Sequence, residues 1–226
     1  MLNNQSLKNY IICIGCNYNG SLSGCVNDSI AMYNTLSKLN PEKIFLLNDD
    51  QEPVTTNSIS KILKEIHENA SFSNYKIIIT FAGHGHVGGK IQLSDKIIDY
   101  NKIYELINRG SQRLFRLLLI LDSCYSGGFI NLKSFGNIAN IEIITSCNSS
   151  QKSSESTSCH IIKRINKKKD FIPIKNCFYI GVFTYNFTNI VEQLIIEAIE
   201  LSWENIFSNN IWDIIKEIAD QTYQIK

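Results

Sequence analysis

Apolar positions fall in blocks along this chain, and the spacing inside each block separates strand from helix. YIICIGC at 10–16 is a short unbroken apolar run, read as a strand. From Cys25 to about Leu39 the apolar residues Val26, Ile30, Tyr33, Leu36 and Leu39 mark one helical face. KIFLLND at 43–49 is a second strand, ended by Asn48, Asp49 and Asp50. TTNSISKILKEIHENA then carries Ile59, Ile62, Leu63 and Ile66 on one face behind a cap at Thr55 or Thr56. YKIIITFAGHG at 75–85, RLFRLLLILD ending at Asp122 and IEIITSC at 141–147 are three more strands. GGKIQLSDKII reads as a hairpin, and DYNKIYELINRG as a helix stopped by Gly110. From Gly181 the tail reads as one or two helices.

Strands that alternate with helices predict an α/β fold, with a central, mainly parallel sheet and helices on both faces. The 226 residues fit one domain, 1–226, and the serine-rich then basic stretch at about 148–175 is its one flexible segment. Ordinary apolar and charged fractions of 44% and 19% describe a packed globule, and a net charge of +1 argues against a polyanion-binding surface. No nucleic acid and no membrane is therefore expected as a partner. The first apolar run is short and lacks a basic lead, so it reads as neither a signal peptide nor a membrane span.

Seven cysteines are an odd set, and without export signals they are expected to be reduced, in the cytoplasm or nucleus and not in a secreted protein. The C-x-x-C at Cys13 and Cys16 lies inside a strand, where residues three apart face opposite sides. That suits neither a metal site nor a redox pair. N-x-S/T triplets such as those at Asn27, Asn69, Asn148 and Asn186 have no consequence without export.

Sites in open parallel sheets form beyond the carboxyl ends of the strands. Here the first strand empties into NYNGSLSGCVNDS, the third into AGHGH, and the fourth into DSCYSGG. If the third and fourth are neighbours, roughly 4.8 Å apart, His84 and Cys124 come within reach of one substrate. A free thiol, with a pKa of about 8.5, needs such an imidazole to take its proton and later return it to a leaving amine. Gly85 next to the histidine allows a substrate backbone to approach, and its N–H with that of Cys124 makes a candidate oxyanion hole.

ITFAGHG followed by LLILDSCYSGG resembles the caspase-fold cysteine peptidases, the metacaspases most of all. YIICIGCNYNGSLSGCVNDSIAMYNTL is similar to that family's first strand and helix, IITSCNSSQKSSES to its segment after the fifth strand, and GVFTYNF to its G-x-F-T-Y helix start. The resemblance implies a caspase-like three-layer sandwich and a cysteine endopeptidase cleaving after Arg or Lys, with Cys124 as nucleophile and His84 as base and acid. His86 is the rival histidine, but the family pattern has Gly directly after its histidine. Cys25, Asp28 and Asp122 fall where metacaspases line an acidic substrate-binding pocket, and Ala82 stands where the family usually has Ser. Calcium-dependent members carry acids where this chain has Asn131 and Tyr100 (the latter after Asp99), so no metal and no cofactor is expected.

Bland readings stand beside these. Cys147 and Cys177 read as packing, His67 as a solvated helix residue, and Asp28 as an acid favoured at a helix start. KRINKKKD is a solvated basic loop or else a self-cleavage site at Lys163, Arg164 or Lys167. Two functional classes follow. The first is an active endopeptidase on proteins or peptides with basic residues. The second is a catalytically silent caspase-fold decoy or scaffold that binds protein partners. A nucleotide-binding protein is disfavoured, because no G-x-G-x-x-G follows the first strand. Little chain remains after the last helix for a pairing edge strand, so a monomer is expected.

Overall fold

The computed structural model of the chain describes residues 8–70, 74–108, 114–130, 141–156 and 179–196. In chain order these form β1 (Lys8–Gly15), α1 (Cys25–Leu36), β2 (Lys43–Asn48), α2 (Thr56–Asn69), β3 (Tyr75–Ala82), β4 (Gly85–His86), β5 (Lys90–Gln92) and β6 (Ile97–Asp99). Then come α3 (Tyr100–Asn108), β7 (Leu114–Asp122), β8 (Ile141–Thr145), β9 (Glu155–Ser156), β10 (Ile180–Gly181) and α4 (Val182–Ile196).

Five strands make one parallel sheet in the order β2-β1-β3-β7-β8. The period of two splits each strand's side chains between two cores. Tyr10, Ile12, Ile14, Ile77, Ile79, Phe81, Leu117, Leu119 and Leu121 pack with Ile59, Leu63 and Ile66 of α2 and Ile103, Leu106 and Ile107 of α3. Ile11, Cys13, Ile78, Leu118 and Ile120 pack instead with Met32 and Leu36 of α1 and Phe183, Phe187, Ile190 and Val191 of α4. The result is the expected α/β three-layer sandwich. Burying one such Leu or Ile contributes about 1.5–3 kcal/mol, so the unbroken run Leu117–Leu121, buried throughout, makes β7 a strongly held strand.

The helix limits follow local chemistry. Thr55 caps α2: its side chain accepts from the Ser58 N–H while Ser58 Oγ accepts from the Thr55 N–H. Helix α1 stops at Leu36, earlier than Leu39, because Ser37–Leu39 tighten into a 3-10 turn closed by left-handed Asn40 (φ 51°). Strand β3 likewise stops at Ala82, not 85, and the chain steps out at Gly83 into the hairpin β4-β5-β6.

Two readings change. His67 is half-buried rather than solvated: its Nδ1 meets the Tyr75 hydroxyl at the start of β3, and burial lowers its pKa. The serine-rich stretch contains a strand, β9, which pairs antiparallel with β10. Cys13 and Cys16 do face opposite layers, and burial pushes the Cys13 thiol up to about 12. Gly110, Cys177, the basic run and the last tail helix lie outside the described residues. No described helix is long and apolar enough to cross a membrane.

Candidate active site

The site is built on one rung of the sheet. β3 and β7 are neighbours in parallel register, and Ala82 pairs with Asp122. His84 and Cys124 each lie two residues beyond that rung, and the Gly83 N–H donates to the Asp122 carbonyl at 3.3 Å, carrying the contact past the strand ends. Cys124 is partly exposed at a sharp exit. Tyr125 is left-handed (φ 58°) and leads into a 3-10 turn over Ser126–Phe129. The Tyr125 N–H donates to the Gln151 carbonyl at 2.7 Å, and the buried Cys147 thiol donates to the Ser123 carbonyl at 3.2 Å. Cys147 thus packs, as read, and also pins the turn that presents Cys124.

Gly85 is needed for a different reason than a substrate's approach. A Cβ on it would lie 1.8 Å from the Cys124 carbonyl oxygen and 2.8 Å from Ser123 Oγ, so the nucleophile turn itself fills that space. The Gln92 N–H donates to the His84 carbonyl at 2.9 Å, which makes 84/92 a bonded rung of the β4-β5 ladder. Antiparallel rungs alternate, so Gly85, paired with Ile91, turns its own N–H away from β5.

His84 is half-buried, and burial lowers its pKa; the nearby His86 lowers it further, while Glu155 opposes the shift. Its Nε2 lies 3.4 Å from Ser21 Oγ. The ring of Tyr18 stacks on it, centroids 4.7 Å apart and 17° from parallel. His86 is engaged elsewhere, its Nε2 3.0 Å from Gln92 Oε1.

Even-numbered residues at the end of β7 face α1 and α4, so Asp122 points into that layer and meets Asp28 from the first turn of α1. Ser29, Ala82, Asp122, Asp28 and Thr184 line one closed space there. The Thr184 N–H and Oγ1 donate to Asp122 Oδ2 at 3.2 and 2.7 Å, and Ser153 Oγ donates to Oδ1 at 2.6 Å. The Gly181 N–H donates to Asp28 Oδ1 at 2.7 Å. Asp28 and Asp122 are 2% and 7% exposed, so both carboxyl groups are held deep rather than displayed. Burial, then the Asp122 charge, raises the Asp28 pKa well above its ordinary value, and Glu155 adds to this. Burial likewise raises the Cys25 thiol, with Asp28, Glu155 and Asp122 adding to the effect.

Glu155 was not singled out in the sequence, nor were Ser153 and Thr184. Glu155 is exposed, and its Oε1 accepts from the Gly24 N–H at 3.0 Å and lies 3.8 Å from the Cys25 thiol. An acid at the start of α1 complements that helix's positive end. The structure therefore brings together Cys25, Asp28, Ala82 and Asp122 on one side of the strand ends, with His84, Gly85 and Cys124 beside them. Lys163, Arg164, Lys167 and Asn131 lie outside the described residues. Asp99 accepts from the Lys102 N–H, and among the described residues no group of three or more acids, His or Cys is placed to hold a metal.

No curated protein matches the chain. A family model, described as the metacaspase peptidase C14 domain, matches residues 10–133, more than half of the 226. The matched segment runs from the buried first strand through both the A-G-H-G and D-S-C exits, and on that match the chain belongs to the metacaspases, a family of caspase-like cysteine peptidase domains.

Proposed function

We propose that the chain is an active cysteine endopeptidase that cuts peptide bonds after Arg or Lys. The Ala82–Asp122 rung supports this reading, because His84 and Cys124 each lie two residues beyond it at adjacent strand exits. With Nε2 facing Ser21, the nitrogen left to exchange a proton with the thiol is Nδ1. Cys124 Sγ attacks the scissile carbonyl, and the N–H groups of Gly85 and Cys124 receive the negative oxygen. His84 then gives the proton to the departing amine, which leaves an acyl-thioester on Cys124. Water, deprotonated by the same imidazole, hydrolyses it and restores the free thiol.

The basic side chain before the scissile bond is drawn to Asp28 and Asp122, with Glu155 as the exposed acid beside Cys25. Charge-assisted hydrogen bonds favour a cation there, and Arg above Lys because its fork matches a carboxylate. The same chemistry allows the enzyme to act on its own basic run at Lys163, Arg164 or Lys167. Five free cysteines among the described residues fit work in a reducing compartment, the cytoplasm or nucleus. No cofactor and no partner beyond the substrate enters this scheme, in which the chain acts as a monomer.

One observation favours the silent-scaffold reading: Gly181, Ser153 and Thr184 already occupy the oxygens of Asp28 and Asp122. A peptide electrophile ending in Arg separates the two. Covalent labelling of the wild type that is lost in Cys124→Ala, with turnover lost in both Cys124→Ala and His84→Ala, supports the peptidase. A folded wild type that neither labels nor turns over any peptide supports the scaffold.

A further inference from the structure

His84 has two features that a place at a strand exit does not require. Its backbone N–H is missing from the β4-β5 ladder, although its carbonyl takes part. Its imidazole is covered on one face by an aromatic ring. Both trace to Tyr18. The His84 N–H donates to the Tyr18 hydroxyl at 2.9 Å, and that hydroxyl donates in turn to the Gln92 carbonyl at 2.5 Å. A phenol thus replaces the direct bond that this rung of an antiparallel ladder would otherwise make.

The surroundings are shaped for the phenol. A Cβ on Gly83 would lie 2.6 Å from the Tyr18 hydroxyl, so this glycine leaves the space that the hydroxyl uses. Tyr18 itself is held in the left-handed region at φ 50°, an uncommon conformation for a bulky residue. The cost is offset by Asp49 Oδ2, which accepts from the N–H groups of Asn17 and Tyr18 at 2.8 and 2.9 Å. Asp49 Oδ1 in turn accepts from the Val54 N–H and from Ser94 Oγ, tying the loop after β1 to the loop after β5.

We propose that Tyr18 is a positioning residue for His84, its ring fixing the imidazole plane and its hydroxyl fixing the backbone from which the imidazole hangs. This rests on the reading that His84 exchanges a proton with Cys124. Two soft torsions separate an imidazole from its backbone, and restraining the ring and the backbone together leaves its reactive nitrogen one direction to face. The stacked ring also takes water from one face of the imidazole and so adds to the burial that lowers the His84 pKa. The other charges that act on that imidazole are His86, which lowers the pKa, and Glu155, which raises it.

The test uses the full chain with Tyr18→Phe, which keeps the stack and loses the hydroxyl, and Tyr18→Leu, which loses both. His84 is titrated by NMR in a Cys124→Ala background, where no turnover is needed. The expected result is a His84 midpoint unchanged by Tyr18→Phe and raised towards the ordinary histidine value by Tyr18→Leu. With Cys124 present, Tyr18→Phe lowers kcat roughly two- to tenfold, the worth of one hydrogen bond, at nearly constant KM. Tyr18→Leu lowers kcat further and moves the acid limb of kcat/KM to higher pH. Unchanged kcat in Tyr18→Phe together with an unmoved midpoint in Tyr18→Leu overturns the proposal. Activity retained in His84→Ala is a different failure, that of the dyad itself.

Discussion

Asp28 and Asp122 press on the same glycine. A Cβ added to Gly181 would lie 2.2 Å from Asp122 Oδ2 and 3.1 Å from Asp28 Oδ2, so the backbone of β10 reaches the pair only because this residue has no side chain. Two carboxylates that meet in a space closed to water cannot both carry charge cheaply. Asp28 is the more deeply buried, and burial with the neighbouring carboxylate holds its pKa well above the ordinary value.

Stability should therefore fall as pH rises. A carboxyl whose folded pKa is raised keeps its proton where the unfolded chain has lost it, so its stabilising effect is full below the ordinary aspartate range and fades as pH climbs through the folded value. The slope from one such proton is at most about 1.4 kcal/mol per pH unit. Asp28→Asn keeps an oxygen for the Gly181 N–H and offers an amide to Asp122, so it should flatten the profile and raise the melting temperature near neutral pH. Thermal melts of both proteins between acid and neutral pH measure this. Parallel profiles would show that Asp28 is not the group responsible.

Selectivity should depend on the acids in different ways. Matched peptides ending in Arg, Lys, Asp and Leu are expected to rank with Arg first and Asp last, Arg leading Leu by roughly ten- to a hundredfold, the worth of a charge-assisted hydrogen bond. Asp122→Asn should erase most of that lead and Glu155→Gln part of it, whereas Asp28→Asn, which stays neutral like the protonated acid it replaces, should change it least. Ala82→Ser adds a hydroxyl to the lining of the same closed space and should widen the gap between Arg and Lys. An Asp-ending peptide that wins, or an Arg lead untouched by Asp122→Asn, removes the acidic-pocket reading.

Gly85→Ala should inactivate the protein without touching a reactive atom. The new methyl would meet the Cys124 carbonyl, a backbone atom with nowhere to go, so the nucleophile turn must shift. Overpacking of this kind destabilises by about 1–3 kcal/mol. A displacement near 1 Å at the thiol lowers turnover about a hundredfold. Single-turnover acylation rates and chemical denaturation report the two effects separately. A variant with wild-type acylation would show that the Gly85–Cys124 contact does not set the thiol's position.

Chelation should leave turnover unchanged. Hard cations need several oxygen ligands, carboxylates among them. Near the hairpin, Asp95 is engaged by the Thr56 N–H and hydroxyl, and Asp99 by the Lys102 N–H. Turnover measured in EDTA and then across added calcium checks this. Saturable activation at micromolar calcium would mean that these acids abandon their present partners.

The sheet was legible because its strands are buried on both faces and so read as unbroken apolar runs; the neighbouring of β3 and β7 entered only as a condition, which the sheet order meets. His84, Cys124 and Asp122 stood out as polar residues where apolar runs stop, and Asp28 came from the family resemblance. Ser153, Glu155 and Thr184 did not, because their partners lie 31, 130 and 62 positions away and no local pattern encodes so distant a pairing. Tyr18 was visible only as part of the stretch that resembles the family's first strand and helix, with no role attached to it. Nothing in that spelling says that a tyrosine folds back over a histidine 66 residues on. His67 misled because its sequence neighbours are charged, while what buries it comes from β3.

The short β9-β10 ladder has a consequence for what happens to a severed chain. Its two strands end and resume on either side of residues 157–178, the span that contains the basic run. Downstream of that span, Phe183, Phe187, Ile190 and Val191 are embedded in a core shared with β1, β3 and β7, and Gly181 and Thr184 grip the two carboxylates. A cut anywhere between 157 and 178 thus breaks the covalent thread without undoing the domain. Two bands on a denaturing gel should migrate as one species of unchanged size under native conditions.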